Sequence, residues 1–525
     1  MVDVVVIGAG LGGLMAGARL AGAGRRVVVL EKKALPGGTS YIFRRGGYAF
    51  PMGPLSFSFP SRVRALLADA GVDADIPFRR SEFEIRTPAL DVVISRPFGE
   101  LETDLARLFP AERGGLARFF AALRAAIAVA KDMDLWHPGF GGGRRPAGGA
   151  GPDARFFEDR ARAVADLAAR PAASVLEGFV ADRDLVNLLG AMGSERPEMS
   201  ILNLALMWNV MAGEGIWFPE PGVHVLADLL RERLTAAGGE LRLATPVREI
   251  AVRDGRAAGV VTAAGETIDA AWVVSNADYK TTFLDLVGER GASRIDLDTI
   301  RGAPYTGSEI CVYLGVRPEA VDLSAMRAEH LFYRHDLAAA AGDPSDFERR
   351  DIEICLWSRQ APSLVPDGRA ALILRAAFPY ATFAPYRLGD RKRAEGYATF
   401  KWDLAARLVR AAERVLPGLS GAIEVQEAAT PLTYRDWGGR FEGSIAGWSW
   451  AARREPGPRP DPHRGASRRR GLRLDRAHSR RRAHGVVHGP SGRRHHPCER
   501  VNVTWPRSGP RRGRRSSTCR GRWWR

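Results

Sequence analysis

Cysteine is scarce in this chain: four in 525 residues, of which only Cys311 and Cys355 precede residue 451. There is no CxxC pair, so neither a disulfide framework nor a cysteine metal site is expected. Histidine is equally thin before residue 451. His137, His224, His330 and His335 are the whole set, and no two have metal-ligand spacing on a helix. Each reads as a surface or packed histidine. No apolar run reaches 18 residues, and the greasiest helical stretch, Leu116–Ala130, is broken by Arg118 and Arg124. A membrane-spanning helix is therefore not expected. A basic n-region and a cleavage site are both missing after Met1, so no signal peptide is expected and a cytoplasmic, reduced setting fits.

Lysine is absent from residues 451–525, whereas arginine is abundant there. That tail holds 23 Arg and four acids, a net of +19; residues 1–450 hold 54 bases and 56 acids, a net of −2. The overall charge of +17 therefore belongs to the tail, and it names no partner for the body. The body is long enough for two or three domains.

The richest stretch is at the N-terminus. Asp3–Ile7 is a short β-branched run of the kind buried on both faces of a parallel sheet. Gly8-Ala-Gly10-Leu11-Gly12-Gly13 follows and matches G-x-G-x-x-G; Leu14–Ala23 reads as a helix, Arg26–Leu30 as a second strand, and Glu31 closes it. Gly8 permits a tight turn, Gly10 lets backbone approach a pyrophosphate, and Gly13 lets helix and strand pack closely. Free N–H groups of the helix's first turn face the phosphates. Glu31, about 20 residues past the glycines, suits two ribose hydroxyls and would repel a 2′-phosphate, which argues against NADP. Strand, glycines, helix, strand and acid in this order predict a dinucleotide site.

Beyond Glu31 comes Lys32-Lys-Ala-Leu-Pro-Gly37-Gly38-Thr39, and then Gly47-Tyr-Ala-Phe-Pro-Met-Gly53-Pro54-Leu55. The Gly-Gly pair resembles the flavoprotein pattern that turns back along the pyrophosphate. The second stretch resembles the G-[FY]-x-[FW]-D-x-G-[PA] segment of large FAD oxidoreductases, where Gly-Pro passes near the flavin ring. Pro51 stands where that pattern has Asp. A second block runs from Gly215 to Asp278. It holds an amphipathic helix over Val225–Ala237 with Leu226, Leu229, Leu230 and Leu234 on one face, ended by Gly238-Gly239. Strands follow at Glu240–Leu243 and from Val247, then a hairpin at Asp254-Gly255, a return over Ala258–Val261, and a strand over Ile268–Val274 ending in Ser275-Asn276-Ala277-Asp278.

This order resembles phytoene desaturases, carotenoid isomerases and retinol saturases. Pro219-Glu-Pro-Gly222 stands for their P-x-G-G with one glycine lost, and Thr430-Pro431 and Gly443–Trp450 again look like the family. The resemblance covers about 450 residues. It implies FAD as cofactor, with Gly8, Gly10, Leu11, Gly12, Gly13, Glu31, Lys32, Gly37, Gly38, Thr39, Gly53, Pro54, Leu55, Val247, Asn276 and Ala277 around it. Val247 would lie against the adenine, and Asn276-Ala277 would return the chain to the FAD domain. The implied fold is α/β: a discontinuous Rossmann-type FAD domain and a mixed α+β substrate domain. The FAD domain takes residues 1–75, 213–285 and 425–451; the substrate domain takes 76–212, mainly helical, and 286–424. The implied activity is desaturation, isomerisation or saturation of a long apolar polyene, with a related flavin oxidoreductase of another apolar substrate as the alternative, and peripheral contact with the inner face of a membrane is compatible with such a substrate.

Several residues carry two readings. Met199–Met211, apolar on most faces, fits a polyene tunnel wall, a monotopic membrane patch or ordinary core, with core the stronger reading for any one side chain. Trp217, Phe218 and Trp448 fit flavin neighbours or aromatic core equally. Cys311 and Cys355 read as strand residues in the core. No Ser–His–Asp set is present, as suits a flavin that carries the redox chemistry itself.

Residues 452–525 have only six Leu or Val side chains, Val486 and Val487 among them, and no Ile, Met or Phe, so they cannot build a core and read as a disordered tail. An Arg-rich nucleic-acid appendage is one reading, although no specific nucleic-acid partner is expected for the body. The other is a shifted reading frame beginning near Ala452–Arg454. The family continues here to a glycine-rich C-terminal FAD motif, and permissible codons for Asp475–Gly485 read one base later give Thr-Gly-His-Thr-Pro-Gly-Gly-Gly-Leu-Met-Gly. On that reading the chain is a flavoprotein that has lost part of its cofactor grip.

Overall fold

The computed structural model describes residues 2–53, 55–132, 154–191, 199–291, 297–336, 342–447 and 485–488. Two large sheets organise it. The first has the strand order Glu240–Arg242, Val27–Leu30, Val2–Ile7, Thr267–Ser275, Arg256–Thr262, Val247–Arg253. Its first four strands are parallel and the last two antiparallel. Val4–Leu30 pairings put Val5, Val6, Val28 and Val29 beyond the reach of water on both faces, which is why this stretch is an unbroken apolar run. One face is covered by the helix Leu11–Gly22 and by the helix His224–Ala236, whose Leu226, Leu230 and Leu234 are buried there. Gly17 sits where an added Cβ would lie 2.8 Å from Val29 Cγ2, so the small residues of the first helix allow it close to the sheet. The sheet joins residues 2–30 to residues 240–275, so the FAD-type domain is discontinuous, as expected.

The helix after the glycine turn begins at Leu11 and not at Leu14. Gly12 and Gly13 therefore belong to its first turn. The helix over 224–236 closes as the Gly-Gly pair predicts: Gly238 takes a left-handed φ of 80° and Gly239 N–H donates to Leu234 O.

The second sheet has the order Ile423–Ala429, Glu309–Val316, Ala370–Ala377, Ile352–Cys355, His330–Tyr333, Phe83–Thr87, Leu90–Val93. Val312, Leu314, Leu372, Leu374 and Ile354 on one face pack under the helix Tyr397–Glu413. The expected helical stretch is a lobe of helices Phe98–Leu108, Arg113–Asp132, Ala154–Ala169, Ala172–Glu177, Arg183–Ala191 and Ile201–Trp208 against the far end of this sheet. Ile201, Leu204, Ala205, Trp208 and Met211 are buried inside that lobe, with Trp208 Nε1 donating to Leu189 O at 2.6 Å. They are core residues of the lobe.

Two drawn boundaries meet secondary structure. Residue 425 falls inside the strand Ile423–Ala429, which pairs along Glu309–Val316, so the second sheet runs on to Ala429. Residue 76 falls between strands of a small sheet in which Ile216–Pro219 pairs with both Phe57–Ser58 and Phe78–Arg80. Within the tail, Gly485–His488 pairs antiparallel with Trp272–Ser275; its other residues lie outside the described ones.

Candidate flavin site

The glycine turn lies at the carboxyl end of Val2–Ile7, beside the end of Thr267–Ser275, where ligands of open α/β sheets bind. Gly8 is held at φ +91° and donates its N–H to Leu30 O. A Cβ on Gly13 would stand 1.9 Å from Gly8 O, and one on Gly10 would meet Asn276 Nδ2 at 2.9 Å. Asn276 N–H donates to Ile7 O, which holds the Asn276 backbone beside the turn. Gly37 N–H donates to Ala9 O, and a Cβ on Gly38 would press on Gly10 Cα at 3.1 Å. The amide end of the helix, Leu11 to Gly13, is thus framed by Asn276 on one side and Gly37-Gly38 on the other. This is a cradle shaped for a pyrophosphate.

Glu31 is buried, and each carboxylate oxygen already accepts a backbone N–H: Oε2 from Ala9 at 2.8 Å, Oε1 from Lys33 at 3.0 Å. The expectation of two free ribose acceptors is thereby sharpened. One lone pair on each oxygen remains, on a carboxylate whose orientation is already set. Thr245 N–H donates to Glu31 O, so the chain leading into Val247 runs beside the acid, and Val247 is half-buried at the start of its strand. Burial lowers the Lys33 ammonium, with Glu31 opposing. Lys32 reaches across to the backbone at Gly439.

Further along, a Cβ on Gly53 would stand 2.7 Å from Thr39 O, so these two expected residues are in contact. Pro54 lies outside the described residues, as does Trp448. Leu55 is buried in an aromatic cluster with Tyr48, Phe50, Phe218, Cys311, Tyr313 and Trp357. Phe218 meets Trp357 edge to face at 5.7 Å, so it is core, whereas Trp217 is partly exposed and donates to Glu214 O. Ala277 follows directly, its N–H toward Ser275 Oγ. Asp278 ties in the last body segment: its carboxylate accepts from Tyr305 Oη and from Phe441 N–H. Ser308 Oγ donates to Gly443 O at 2.7 Å and completes the tie.

The face of the second sheet that carries Cys311, Tyr313 and Cys355 packs on this cluster, and a band of polar groups crosses it that sequence reasoning missed. Tyr434 Oη donates to Glu309 Oε1 at 2.6 Å, Arg375 bridges Glu309 and Glu353 at 2.9 and 3.1 Å, and Glu353 Oε1 meets His330 Nδ1 at 2.8 Å. His330 Nε2 faces Gln360 Oε1 at 3.1 Å, and Gln360 Nε2 donates to Ser81 Oγ. With an oxygen facing each ring nitrogen, the protonated form of His330 is favoured. Burial pushes it down, but the Cys355 sulfur and the Glu353 carboxylate outweigh that and raise it to about 10. Burial likewise pushes Glu353 up, but Arg375 and His330 hold it at about 2. The signal available in the sequence was a single charge in each of three otherwise apolar strands, at Glu309, Glu353 and Arg375. Cys311 and Cys355 are buried free thiols, and burial raises Cys311 well above its usual range.

A sequence profile for flavin containing amine oxidoreductases matches residues 11–357. The chain belongs to that family. It is an FAD-dependent oxidoreductase, and the cradle described above fits the pyrophosphate end of that cofactor. Among its relatives is a chloroplastic prolycopene isomerase of Arabidopsis thaliana, 26% identical over 84% of this chain and 73% of the relative. The lycopene-forming phytoene desaturase of Pseudescherichia vulneris is 26% identical over 83% of this chain and 87% of its own length. Solved structures share the fold: an oxidoreductase from Methanosarcina mazei (17% identity, TM-score 0.53, 82% of this chain and 88% of that one) and a putrescine oxidase bound to putrescine (17%, 0.51, 83% and 89%). Among the described residues no helix is long and apolar enough to cross a membrane.

Proposed function

We propose that this FAD-dependent oxidoreductase acts on a long apolar polyene of the carotenoid type, by desaturation or isomerisation. Bound FAD supplies the two-electron redox chemistry. The chain's own residues would hold it: the amide end of Leu11–Gly13 and the Asn276 side chain for the pyrophosphate, Glu31 for the adenine ribose, Val247 for the adenine, and the Gly53–Leu55 segment for the ring. Lys32, Gly37, Gly38, Thr39 and Ala277 shape the surrounding backbone. The observation that carries the polyene reading is the sheet face opposite that segment. It carries Tyr313 and Ile373, which pack on Phe50 and Leu55, and its inner carboxylates, Glu309 and Glu353, are both committed to Arg375. Among the described residues of this face, no carboxylate is left uncommitted for an ammonium substrate. Relatives named as carotenoid isomerases and desaturases support the same class. On this reading the chain is cytoplasmic and draws its substrate from the inner face of a membrane by peripheral contact, and no nucleic acid is a partner of the chemistry.

The test supplies a phytoene-type polyene and a cis-polyene in vesicles with added FAD. Desaturation lengthens the absorbing chromophore and removes hydrogen by mass; isomerisation shifts retention without mass change. Oxidation of amines with no change in either polyene would refute the reading.

The tail motivates a second statement about this same enzyme. With 23 Arg in its last 75 residues and no glycine-rich motif like that of the family, the chain as encoded would hold FAD weakly. A frame shift near Ala452–Arg454 accounts for both. Resequencing the DNA between the codons of Trp450 and Glu455 decides the frame. A yellow preparation with one flavin per chain would refute the expected weak binding.

A further inference from the structure

Leu388 is the most exposed large apolar side chain among the described residues, at 68%. It stands on a short hairpin in which Arg387–Gly389 pairs with Lys392–Arg393 and Asp390-Arg391 form the turn. Alternation along the strand turns Arg387 inward and Leu388 outward. The inner partner is Asp436, a buried carboxylate that accepts from Arg387 Nε at 2.9 Å, from Arg393 Nη1 at 2.8 Å and from the Arg391 N–H at 3.0 Å. Asp436 ends the helix Pro431–Asp436, and the next residue, Trp437, is 43% exposed with the Arg391 guanidinium 5.3 Å from its ring centre. Tyr386, just before the hairpin, stacks on Phe400 at 5.6 Å and braces it against the helix Tyr397–Glu413. Leu388, Trp437 and the exposed cations Arg391 and Lys392 are therefore carried by one braced surface element.

Stability of the folded chain gives no reason to present them this way. An exposed leucine and tryptophan forgo the gain of burial. Arg391 takes a left-handed φ of 60°, where glycine would sit without strain, and so a long cation is kept at the turn. The local charge is distinctive as well: residues 386–402 hold five bases and two acids, in a body that is negative by two. Leucine and tryptophan beside exposed cations suit a bilayer interface, where the apolar groups enter the headgroup layer and the cations meet anionic phosphates. The element also lies close to the cofactor cradle. Gly439, two residues past Trp437, sits against Lys32, the neighbour of Glu31.

We infer that this element is a membrane-docking surface for a bilayer that carries anionic lipid, with Leu388 and Trp437 entering the interface and Arg391 and Lys392 on the phosphates. It rests on the reading above, in which the substrate is drawn from a membrane, and names the face that makes the contact.

The test floats the full chain with phosphatidylglycerol–phosphatidylcholine vesicles at about 0.5 M salt, where a screening length of about 4 Å removes the long-range pull of the Arg-rich tail. L388S/W437S should bind about 10-fold or more weakly than the unaltered chain, because two apolar side chains no longer leave water. L108S removes an exposed leucine of the helical lobe and should bind like the unaltered chain. At about 0.15 M salt, R391Q/K392Q should lose about 10-fold on these vesicles and little on pure phosphatidylcholine. Equal binding by L388S/W437S and the unaltered chain would overturn the inference. So would an equal loss in L108S, which would report unspecific stickiness, or binding that vanishes for every form at 0.5 M salt, which would report the tail alone. An unaltered chain that is dimeric without vesicles, and monomeric as L388S/W437S, would assign the face to a second copy and overturn it too. Should L388S/W437S fail to fold, hydroxyl-radical footprinting of the unaltered chain decides: vesicles should protect Leu388 and Trp437 and leave Leu108 reactive. Docking through this face with no change in either polyene would overturn the polyene reading and leave the surface standing. Polyene turnover with Leu388 and Trp437 unprotected would do the reverse.

Discussion

Replacing Glu353 by Gln should cost this protein about 3–4 kcal/mol of stability at neutral pH. The side chain keeps its shape and loses the one negative charge between two buried cations. Its oxygens lie 2.8 Å from His330 Nδ1 and 3.1 Å from Arg375 Nη1, and His330 is 2% exposed. Holding a carboxyl at about 2 instead of 4.5 corresponds to about 3 kcal/mol, at about 1.4 kcal/mol per pH unit. Breaking one side of a buried ion pair costs about 3–5 kcal/mol by experience with other proteins. The two agree. The pH dependence has a definite sign. A depressed carboxylate contributes fully above its unfolded value near 4.5 and loses that contribution as pH falls toward 2. His330, raised to about 10, contributes below 6.5 and loses its contribution as pH climbs toward 10. Urea unfolding followed by circular dichroism at several pH values between 3 and 9 measures both limbs. E353Q should lack the acid limb and show a weakened alkaline one. A variant within about 1 kcal/mol of the unaltered chain at pH 7, or one with the acid limb intact, would refute the assigned charges.

Gly13→Ala should abolish soluble, folded protein or shift melting down by many degrees, because its Cβ would stand 1.9 Å from Gly8 O and backbone must move; thermal melting reads this. Glu31→Gln should leave either the Ala9 or the Lys33 amide without an acceptor, weakening FAD binding by about 10- to 100-fold for a loss of about 1–3 kcal/mol; quenching of flavin fluorescence on titration measures it. Trp208→Phe should destabilise by about 1–3 kcal/mol, since Leu189 O loses its buried donor. An unchanged urea midpoint would return Trp208 to the role of a tunnel wall.

The dinucleotide half of this protein is legible in its sequence. Its contacts are local: turn, helix, second strand and acid lie within about 30 residues, and each glycine is demanded by backbone geometry that a single sequence displays. Even there the helix start was missed by three residues, because a glycine reads as turn until the turn is seen to close at Gly10. The middle block was legible for the same reason, through its helix stop at Gly238-Gly239 and its hairpin at Asp254-Gly255.

The charged band was not legible. Tyr434, Glu309, Arg375, Glu353 and His330 come from four strands and a helix spread over more than 100 residues, and only strand register brings them to one face. Each alone looks like an ordinary charge in a strand. The same holds for Met199–Met211, whose apolar pattern is identical for a tunnel wall and for a core; packing in the helical lobe chose core. The sequence by itself determined the family, the cofactor and the cradle that grips its phosphates, because local backbone demands are written in consecutive residues. Tertiary structure alone decided which buried charges meet, because pairing between distant strands is set by register and not by spacing.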